Sequence, residues 1–200
     1  MRKKSHISMA NQIIDALEID SLYKHKMAFR IGNVLPDCRP SFITMRHSYD
    51  TTIQMTEERM QRFMTEYRTL DEITGRVCME LGEIIHFIAD YFTFPHNSHY
   101  TGTMKDHCYY EKDLKFKMRE FAKSDEIQTL YKKIKRYDTL EELIAFLKKA
   151  HAWYMRVERN IADDCKFAFY VCASVVATIF HIIEEGMQPA PVWKYQMSSV

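Results

Sequence analysis

The sequence predicts an all-α protein, a single-domain multi-helix bundle. Only 5 of its 200 residues are glycine and 5 are proline, so it holds few of the residues that build tight hairpin turns. Glycine is well below its usual share of about 7% in globular proteins. Apolar side chains also recur at helical spacing along most of the chain. A length of 200 residues suits one domain with a sizeable core, and we assign residues 1–200 to it.

The individual helices are expected where apolar residues recur every three or four positions. Ser5 is the expected N-cap of the first helix, and Asp20 is that of the second. In the second helix, Leu22, Met27 and Phe29 are expected to face inward. The predicted helices span, in chain order, residues 7–19, 20–31, 50–68, 71–93, 105–122, 125–136, 139–159 and 162–185.

Two segments with proline are expected to separate the helices as loops. Residues 33–46 contain two prolines, and residues 96–103 follow Pro95, which ends the helix before it. The last helix is apolar nearly all round, which is typical of a helix surrounded by others. Its apolar run over residues 167–183 is marginal for crossing a bilayer, and its interspersed polar residues favour a buried helix.

Glycine spacing, charge and cysteine count exclude several classes of protein. No two glycines lie close enough for the phosphate-binding loops of dinucleotide-binding proteins or P-loop NTPases, and Gly-x-Ser-x-Gly is absent. The net charge of +1 provides no global field that would attract nucleic acid or an anionic membrane. Five cysteines without a disulfide-framework spacing, and a start without a secretory signal, predict a reducing, cytoplasmic setting.

Two pairs of metal-ligand side chains stand at helical spacing. His86 and Asp90 are four positions apart on one predicted helix, so both project from the same face. They lie in an apolar segment, where a lone buried carboxylate is costly unless it is paired or bound to metal. His107 and Glu111 form a second such pair, and His96 lies between the two. Imidazole and carboxylate are ligands that zinc accepts.

Three further candidate ligands lie upstream. Asp37 ends a loop that contains glycine and proline, His47 follows ten residues later, and His6 stands at the start of the first helix. Each signal alone is weak, because an aspartate after proline is most often a turn former. One histidine–carboxylate pair alone is likewise more often a surface pair. As a set, these residues match the way helical bundles deliver several metal ligands into their core.

This order of residues resembles the zinc-dependent phospholipase C family, which shares its fold with the P1/S1 nucleases. The resemblance covers residues 5–111 through Ser5-His6, Pro36-Asp37, His47, His86-x-x-x-Asp90, Pro95-His96 and His107-x-x-x-Glu111. It implies a bundle of that type and zinc-dependent hydrolysis of a phosphate ester. Clustered zinc ions would clamp a phosphodiester and lower the pKa of a bound water to about 7, so that this water attacks phosphorus.

The resemblance also implies how the zinc ions are held. The implied ligand sets are His47, His86 and Asp90 for one ion, His96, His107 and Glu111 for a second, and His6 with a bridging Asp90 for a third. Asp37 would lie beside the metals as a ligand or as the general base. In secreted members the mature amino-terminal residue gives its amino group to the third ion. Here no secretory signal is expected whose removal would expose such a terminus, and Met1 stands five residues before His6. The expected number of zinc ions is therefore two, or three if the third site is completed in another way.

The residues that shape the substrate pocket depart from the family. Cys38 follows Asp37 where the family has tyrosine, and Thr44 precedes His47 where it has phenylalanine, so choline specificity is not expected. The expected substrate is a phospholipid-type phosphodiester or another small phosphate ester, with transient contact to a membrane surface.

Two alternative functions stay open. One is a P1-like nuclease or nucleotide phosphoesterase, against which the near-neutral charge and the lack of a basic, aromatic groove argue. The other is a non-catalytic bundle stabilised by metal. The sequence indicates no oligomeric state.

Overall fold

The structure, a computed structural model, describes residues 1–39, 47–68, 70, 72–157 and 160–187. Within these residues all regular structure is helical and there is no strand, which confirms the all-α prediction. The α-helices are α1 (Lys3–Leu17), α2 (Asp20–Lys24), α3 (Lys26–Gly32), α4 (Tyr49–Tyr67), α5 (Gly75–Tyr91), α6 (Met104–Phe121), α7 (Asp125–Tyr131), α8 (Leu140–Tyr154) and α9 (Ile161–Met187). Two 3₁₀-helices, Leu35–Cys38 and Phe94–His96, lie in the connections.

Helices α5 and α9 form the centre of the bundle. Helix α5 packs on α3, α4 and α9, and α9 packs in addition on α1, α6 and α8. Leu81 and Ile85 of α5 and Phe169 of α9 are among the largest fully buried side chains. Burying a side chain of this size stabilises the fold by roughly 1.5–3 kcal/mol. The apolar character of both helices is therefore accounted for by the core that they share.

The last helix, α9, has the length and apolar composition of a possible membrane span. Within the described part of the chain, residues 161–186 form the one helix long and apolar enough to cross a bilayer. However, 78% of its apolar window is buried inside the protein. This burial is typical of a core helix and agrees with the expectation from the sequence.

Both predicted N-caps are wrong. Helix α1 begins at Lys3 with Arg2 as its N-cap, so Ser5 lies inside the helix and is fully buried. The helix extends because its first residues are good helix formers that the apolar pattern does not register. The N-cap of α2 is Ile19, and Asp20 lies in the first helical turn, where a carboxylate favours the helix dipole.

The helix predicted over residues 20–31 is broken in two. The backbone of His25 leaves the helical region, which separates α2 from α3. Leu22 and Phe29 are fully buried as predicted, but Met27 is 59% exposed, so its inward orientation is wrong. The break shifts the phase of the helical repeat, and a pattern that assumes one continuous helix places Met27 on the wrong face.

The remaining helices lie where they were predicted, with different ends. Helix α5 begins at Gly75 because the side chain of Thr74 caps it, and α8 ends at Tyr154 instead of residue 159. The segment predicted as loop over residues 33–46 contains a 3₁₀-helix at its start. The rest of that segment, including Thr44, lies outside the described residues.

A contact between two glycines sets the crossing of α3 and α5. A Cβ atom on Gly82 would lie 2.4 Å from the carbonyl oxygen of Phe29, and one on Gly32 would lie 2.0 Å from that of Met79. Only glycine allows the two backbones to approach this closely. The contact brings Asn33 and the 3₁₀-helix that follows it against α5.

Substituting Gly82 with alanine is expected to lower the free energy of unfolding by about 2–3 kcal/mol, because the backbone of α3 must move to admit the methyl group. Urea unfolding measures this loss. Gly75→Ala is the matched control, since a Cβ there meets no atom closer than 3.5 Å. That control is expected to be neutral or stabilising by up to about 1 kcal/mol. Equal losses in the two variants would contradict the role assigned to the helix crossing.

Candidate metal centre

Segments far apart in the chain bring the candidate ligands together. Helix α1 contains His6, α5 contains His86 and Asp90, and α6 contains His107 and Glu111. Asp37 and His96 lie in the two 3₁₀-helices, and His47 lies just before α4. Their donor atoms form three groups, each within 4.8 Å, namely His6–Asp37–His86, His47–His86–Asp90 and His96–His107–Glu111. Every candidate site residue predicted from the sequence therefore belongs to at least one of these groups.

His86 lies fully buried at the centre of the first two groups. Its Nδ1 atom donates a hydrogen bond to the carbonyl oxygen of Asn33 at 2.9 Å, so Nε2 keeps its lone pair. This Nε2 atom lies 3.3 Å from Nδ1 of His47, 3.6 Å from Oδ1 of Asp37 and 3.7 Å from Oδ2 of Asp90. Burial lowers the pKa of His86 well below its usual range. The ring is therefore neutral, the form that binds metal.

The third group joins the turn after α5 to α6. Nδ1 of His96 donates to the carbonyl oxygen of His47 at 2.6 Å, and burial lowers the pKa of His96 to about 3. Nε2 of His107 lies 3.3 Å from Oε1 of Glu111. Burial opposes the charge of Glu111, but its contact with His107 outweighs this and holds the pKa of Glu111 at about 2. The group thus combines neutral imidazole with an ionised carboxylate.

Asp90 is the carboxylate that connects the groups, and only 1% of it is exposed. Its Oδ1 atom contacts the amino group of Met1 and lies 3.5 Å from Nε2 of His6. Its Oδ2 atom lies 3.4 Å from Nδ1 of His96 and 3.9 Å from Nδ1 of His47. Burial alone would raise the pKa of Asp90, but the surrounding nitrogen groups hold it well below its usual range. The side chain is therefore ionised although it is buried.

Several buried donor atoms of this site have no hydrogen-bond partner within the described chain. These atoms are both ring nitrogens of His6, Oδ2 of Asp90 and Nε2 of His107. A buried polar atom without a partner costs roughly 1–3 kcal/mol, and native proteins tolerate few of them. Nitrogen and carboxylate donors that face one another without partners fit a cation, and they are the ligand types of zinc. The residues present therefore fit a zinc centre.

The amino group of Met1 lies among the candidate ligands. It is buried, contacts Asp90, and lies 3.5 Å from both Nε2 of His96 and Oε1 of Glu111. Burial opposes its charge, but the carboxylates of Asp90 and Glu111 outweigh this and raise the pKa of the amine. In the 200-residue chain this nitrogen thus stands between the ligand groups.

Other side chains hold the candidate ligands in position. Glu83 of α5 accepts two hydrogen bonds of 2.7 Å from Arg39, which ties the end of the 3₁₀-helix with Asp37 to α5. Asn97 donates to two backbone carbonyls at the end of α5, at 3.0 and 2.9 Å, and its Oδ1 lies 2.7 Å from Nε2 of His151. Such outer contacts orient metal ligands and raise metal affinity. The sequence pattern identified none of them.

A buried carboxylate on α9 anchors the third group. Asp164 accepts hydrogen bonds from the backbone N–H of Phe94 at 3.2 Å, the hydroxyl of Tyr154 at 2.8 Å and the hydroxyl of Tyr110. Tyr110 directly precedes a candidate ligand on α6, and Phe94 begins the 3₁₀-helix that carries another. Sequence reasoning missed Asp164 because an acid in the first turn of a helix is common for reasons of the helix dipole alone.

Replacing Asp164 with asparagine is expected to lower the free energy of unfolding by about 2–3 kcal/mol, because hydrogen bonds to a buried charge are lost or weakened. Urea unfolding measures this, and zinc content is expected to fall with it. Asp113→Asn is the control, since that side chain is exposed on α6 and forms no hydrogen bond or ion pair within the described residues. A surface change of this kind costs within about 0.5 kcal/mol. Identical losses in both variants would show that Asp164 has no anchoring role.

One of three comparisons with known proteins finds a match. A family model described as zinc dependent phospholipase C matches residues 5–161. The match includes all the candidate ligands from His6 to Glu111 and ends at the first residue of α9. No curated protein and no solved structure matches the chain. Because the family match covers more than half of the chain, the protein belongs to the zinc-dependent phospholipase C family, a family of zinc hydrolases.

Proposed function

We propose that the protein hydrolyses the phosphodiester of a phospholipid at a centre of two or three zinc ions. The observation that carries this proposal is the convergence of the three donor groups beside a cleft. The cleft measures about 470 Å³ and is lined by Met1, Asp37 and Glu111 together with basic side chains. Access from solvent favours a catalytic centre over a structural one, because structural zinc sites are closed by their protein ligands.

The donor geometry supports a division of the ligands among the ions. His86 serves one ion only, because its Nδ1 atom is engaged by a backbone carbonyl. We assign His47, His86 and Asp90 to one ion, His96, His107 and Glu111 to a second, and His6 with a bridging Asp90 to a third. Bound zinc supplies Lewis-acid chemistry, which polarises phosphoryl oxygens and lowers the pKa of water to about 7.

Asp37 is proposed to orient and deprotonate the attacking water. It lines the cleft, and its Oδ1 atom lies 3.6 Å from Nε2 of His86 and 3.9 Å from Nδ1 of His47. Burial raises the pKa of Asp37, which makes its carboxylate a better base than an exposed aspartate. The proton from water passes to this carboxylate as the oxygen bonds to phosphorus. The P–O bond to the leaving group breaks on the opposite side, and the departing alkoxide takes up a proton from solvent.

An apolar groove beside the centre favours a lipid over a nucleic acid. Ile7 and Cys38, which directly follow His6 and Asp37, lie in its lining, which continues with Met27, Ile31, Val34 and Leu35. Met27 and Ile31 are 59% and 51% exposed. Aliphatic side chains suit the acyl chains of a lipid, since each buried methylene contributes about 0.8 kcal/mol. Single-stranded nucleic acid would instead require aromatic side chains for stacking.

The test measures hydrolysis by zinc-loaded protein of an aryl phosphodiester, a dihexanoyl phospholipid and a single-stranded oligonucleotide. We expect the phospholipid to have the highest kcat/KM. Asp37→Asn is expected to lower kcat by about 10²–10⁴-fold, the typical effect of removing a general base. The zinc content of Asp37→Asn shows whether Asp37 is a base or a ligand. Replacing a base leaves the number of bound zinc ions unchanged, whereas replacing a ligand lowers it. Faster cleavage of the oligonucleotide would favour a nuclease, and no turnover of any ester would favour a non-catalytic bundle.

A further inference from the structure

The cleft above the candidate metal centre is lined with positive charge. Arg2, Lys3 and Lys4 line it from the start of α1, and Lys115 lines it from α6. We call these four side chains the cationic rim. Of the two acids in the same lining, Glu111 is a candidate zinc ligand and Asp37 is the proposed base beside the metal, so both belong to the reaction centre. The part of the lining that remains for a substrate is therefore cationic.

Most of the cationic rim lacks acidic partners. Across the described ranges, Lys3, Lys4 and Lys115 form no ion pair within 4.0 Å. Arg2 donates to the carbonyl oxygen of Cys108 at 2.8 Å, and its Nε lies 3.9 Å from a candidate ligand carboxylate. By contrast, Lys117 on the same helix as Lys115 is paired with an acid at 2.7 Å. The positive charge of the cationic rim is therefore largely unneutralised by the protein's own acids and can interact with an anionic ligand.

The rim side chains also repel one another. The pKa of Lys115 is lowered, first by partial loss of hydration and then by the positive charges of Arg119, Lys4, Arg2 and Lys112. The Lys115 ammonium lies 4.4 Å from the ring centroid of Phe116, a neutral partner that leaves its charge in place. A cluster of like charges at the mouth of a cleft raises the local concentration of ions of opposite sign.

We propose that the cationic rim binds a headgroup carrying negative charge in addition to the scissile phosphodiester, so that the enzyme prefers anionic over zwitterionic phospholipids. This inference rests on the proposed phospholipase function. The scissile phosphate belongs beside the metal ligands, whereas the rim lies around the cleft and faces the rest of the substrate. A phosphate or carboxylate on the headgroup would pair with the lysines, and a quaternary ammonium would be repelled by them.

The test compares kcat/KM for three dihexanoyl lipids that differ in headgroup charge. They are phosphatidylinositol phosphate with an added anion, phosphatidylglycerol with a neutral headgroup, and phosphatidylcholine with a cationic one. All are used as monomers below their micelle concentration, so that attraction to a charged surface does not contribute. We expect the anionic lipid to exceed phosphatidylcholine by about tenfold or more, since several individually weak charge contacts act together in the rim.

Charge reversal identifies the residues responsible. The double variant Lys4→Glu/Lys115→Glu is expected to remove this preference, whereas Lys133→Glu, at an exposed lysine outside the cleft lining, keeps it. Thermal melting checks that all variants fold. The preference is expected to weaken as salt is raised, because exposed charges are screened. A native preference near one, or an unchanged preference in the double variant, would overturn the proposal.

Free headgroup binding separates this proposal from the proposed function. Calorimetry with inositol 1,4-bisphosphate, which has no acyl chains, is expected to show binding that the double variant loses. If no lipid is hydrolysed but this binding is present, the phospholipase function fails and the anion-binding rim stands. If lipids are hydrolysed but the headgroup charge has no effect, the rim proposal fails alone. Preferred cleavage of an oligonucleotide that the double variant loses would assign the rim to nucleic acid and overturn the proposal.

Discussion

Replacing Asp90 with asparagine is expected to lower phosphodiester hydrolysis by about 10³-fold or more and to release zinc. Asp90 connects the ligand groups, since its two oxygens face Met1 and His6 on one side and His96 and His47 on the other. Changing even an outer contact of a metal ligand typically costs 10–100-fold in affinity or activity. In the proposed assignment Asp90 is shared by two ions, so its loss is expected to cost more. Steady-state kinetics and zinc content per chain measure the two effects.

The control for this prediction lies on the same helix. Glu80→Gln makes the same chemical change on α5, at a side chain that pairs with Arg76 at the surface at 2.9 Å. Its zinc content and kcat are expected to match those of the native protein. Asparagine nearly preserves the volume of aspartate, so packing around position 90 changes little. An Asp90→Asn protein with full zinc content and full activity would show that Asp90 is not a ligand.

Removing zinc is expected to lower the melting temperature by roughly 10 °C for each tightly bound ion. At a zinc concentration about 1,000 times the dissociation constant, binding contributes about 4.1 kcal/mol of stability. A change of 1 kcal/mol shifts the melting temperature by about 2–4 °C in a chain of this size. The zinc-free protein also retains buried donor atoms without partners on His6, Asp90 and His107. Calorimetry before and after dialysis against a chelator measures the shift.

Restoring the metal completes this experiment. Readdition of zinc is expected to recover the original melting temperature, whereas magnesium, which prefers oxygen ligands, is expected to recover little of it. Superimposable melting curves with and without zinc would contradict the presence of a metal centre. Recovery of stability without any hydrolysis would favour the non-catalytic alternative over the proposed enzyme.

The local part of the site could be predicted from the sequence, because helical spacing is a local property. His86 with Asp90 and His107 with Glu111 lie four positions apart, so each pair shares a helix face whatever the rest of the fold does. Segments longer than a few turns, such as α5 and α9, were predictable for the same reason. The assignment of His6 was less complete. The resemblance implies that it meets Asp90, and the structure also places it in a group with Asp37 and His86.

Contacts between distant segments could not be predicted from spacing. The Gly32–Gly82 contact that places Asp37 against α5 gives no periodic signal, because glycine carries no side chain. The hydrogen bonds of Asp164 join residues 54 and 70 positions apart, and only the fold shows that they meet. The break at His25 is likewise invisible to a pattern that counts apolar positions, and this is why Met27 was placed inward.

The most direct test of the account is the zinc content of the purified 200-residue chain. Elemental mass spectrometry is applied to protein prepared without a polyhistidine tag, after incubation with zinc and dialysis to remove loosely bound ions. The account predicts two or three zinc ions per chain, with a lower count in Asp90→Asn. A count of zero would contradict it, because the histidines and carboxylates would then not converge on a metal.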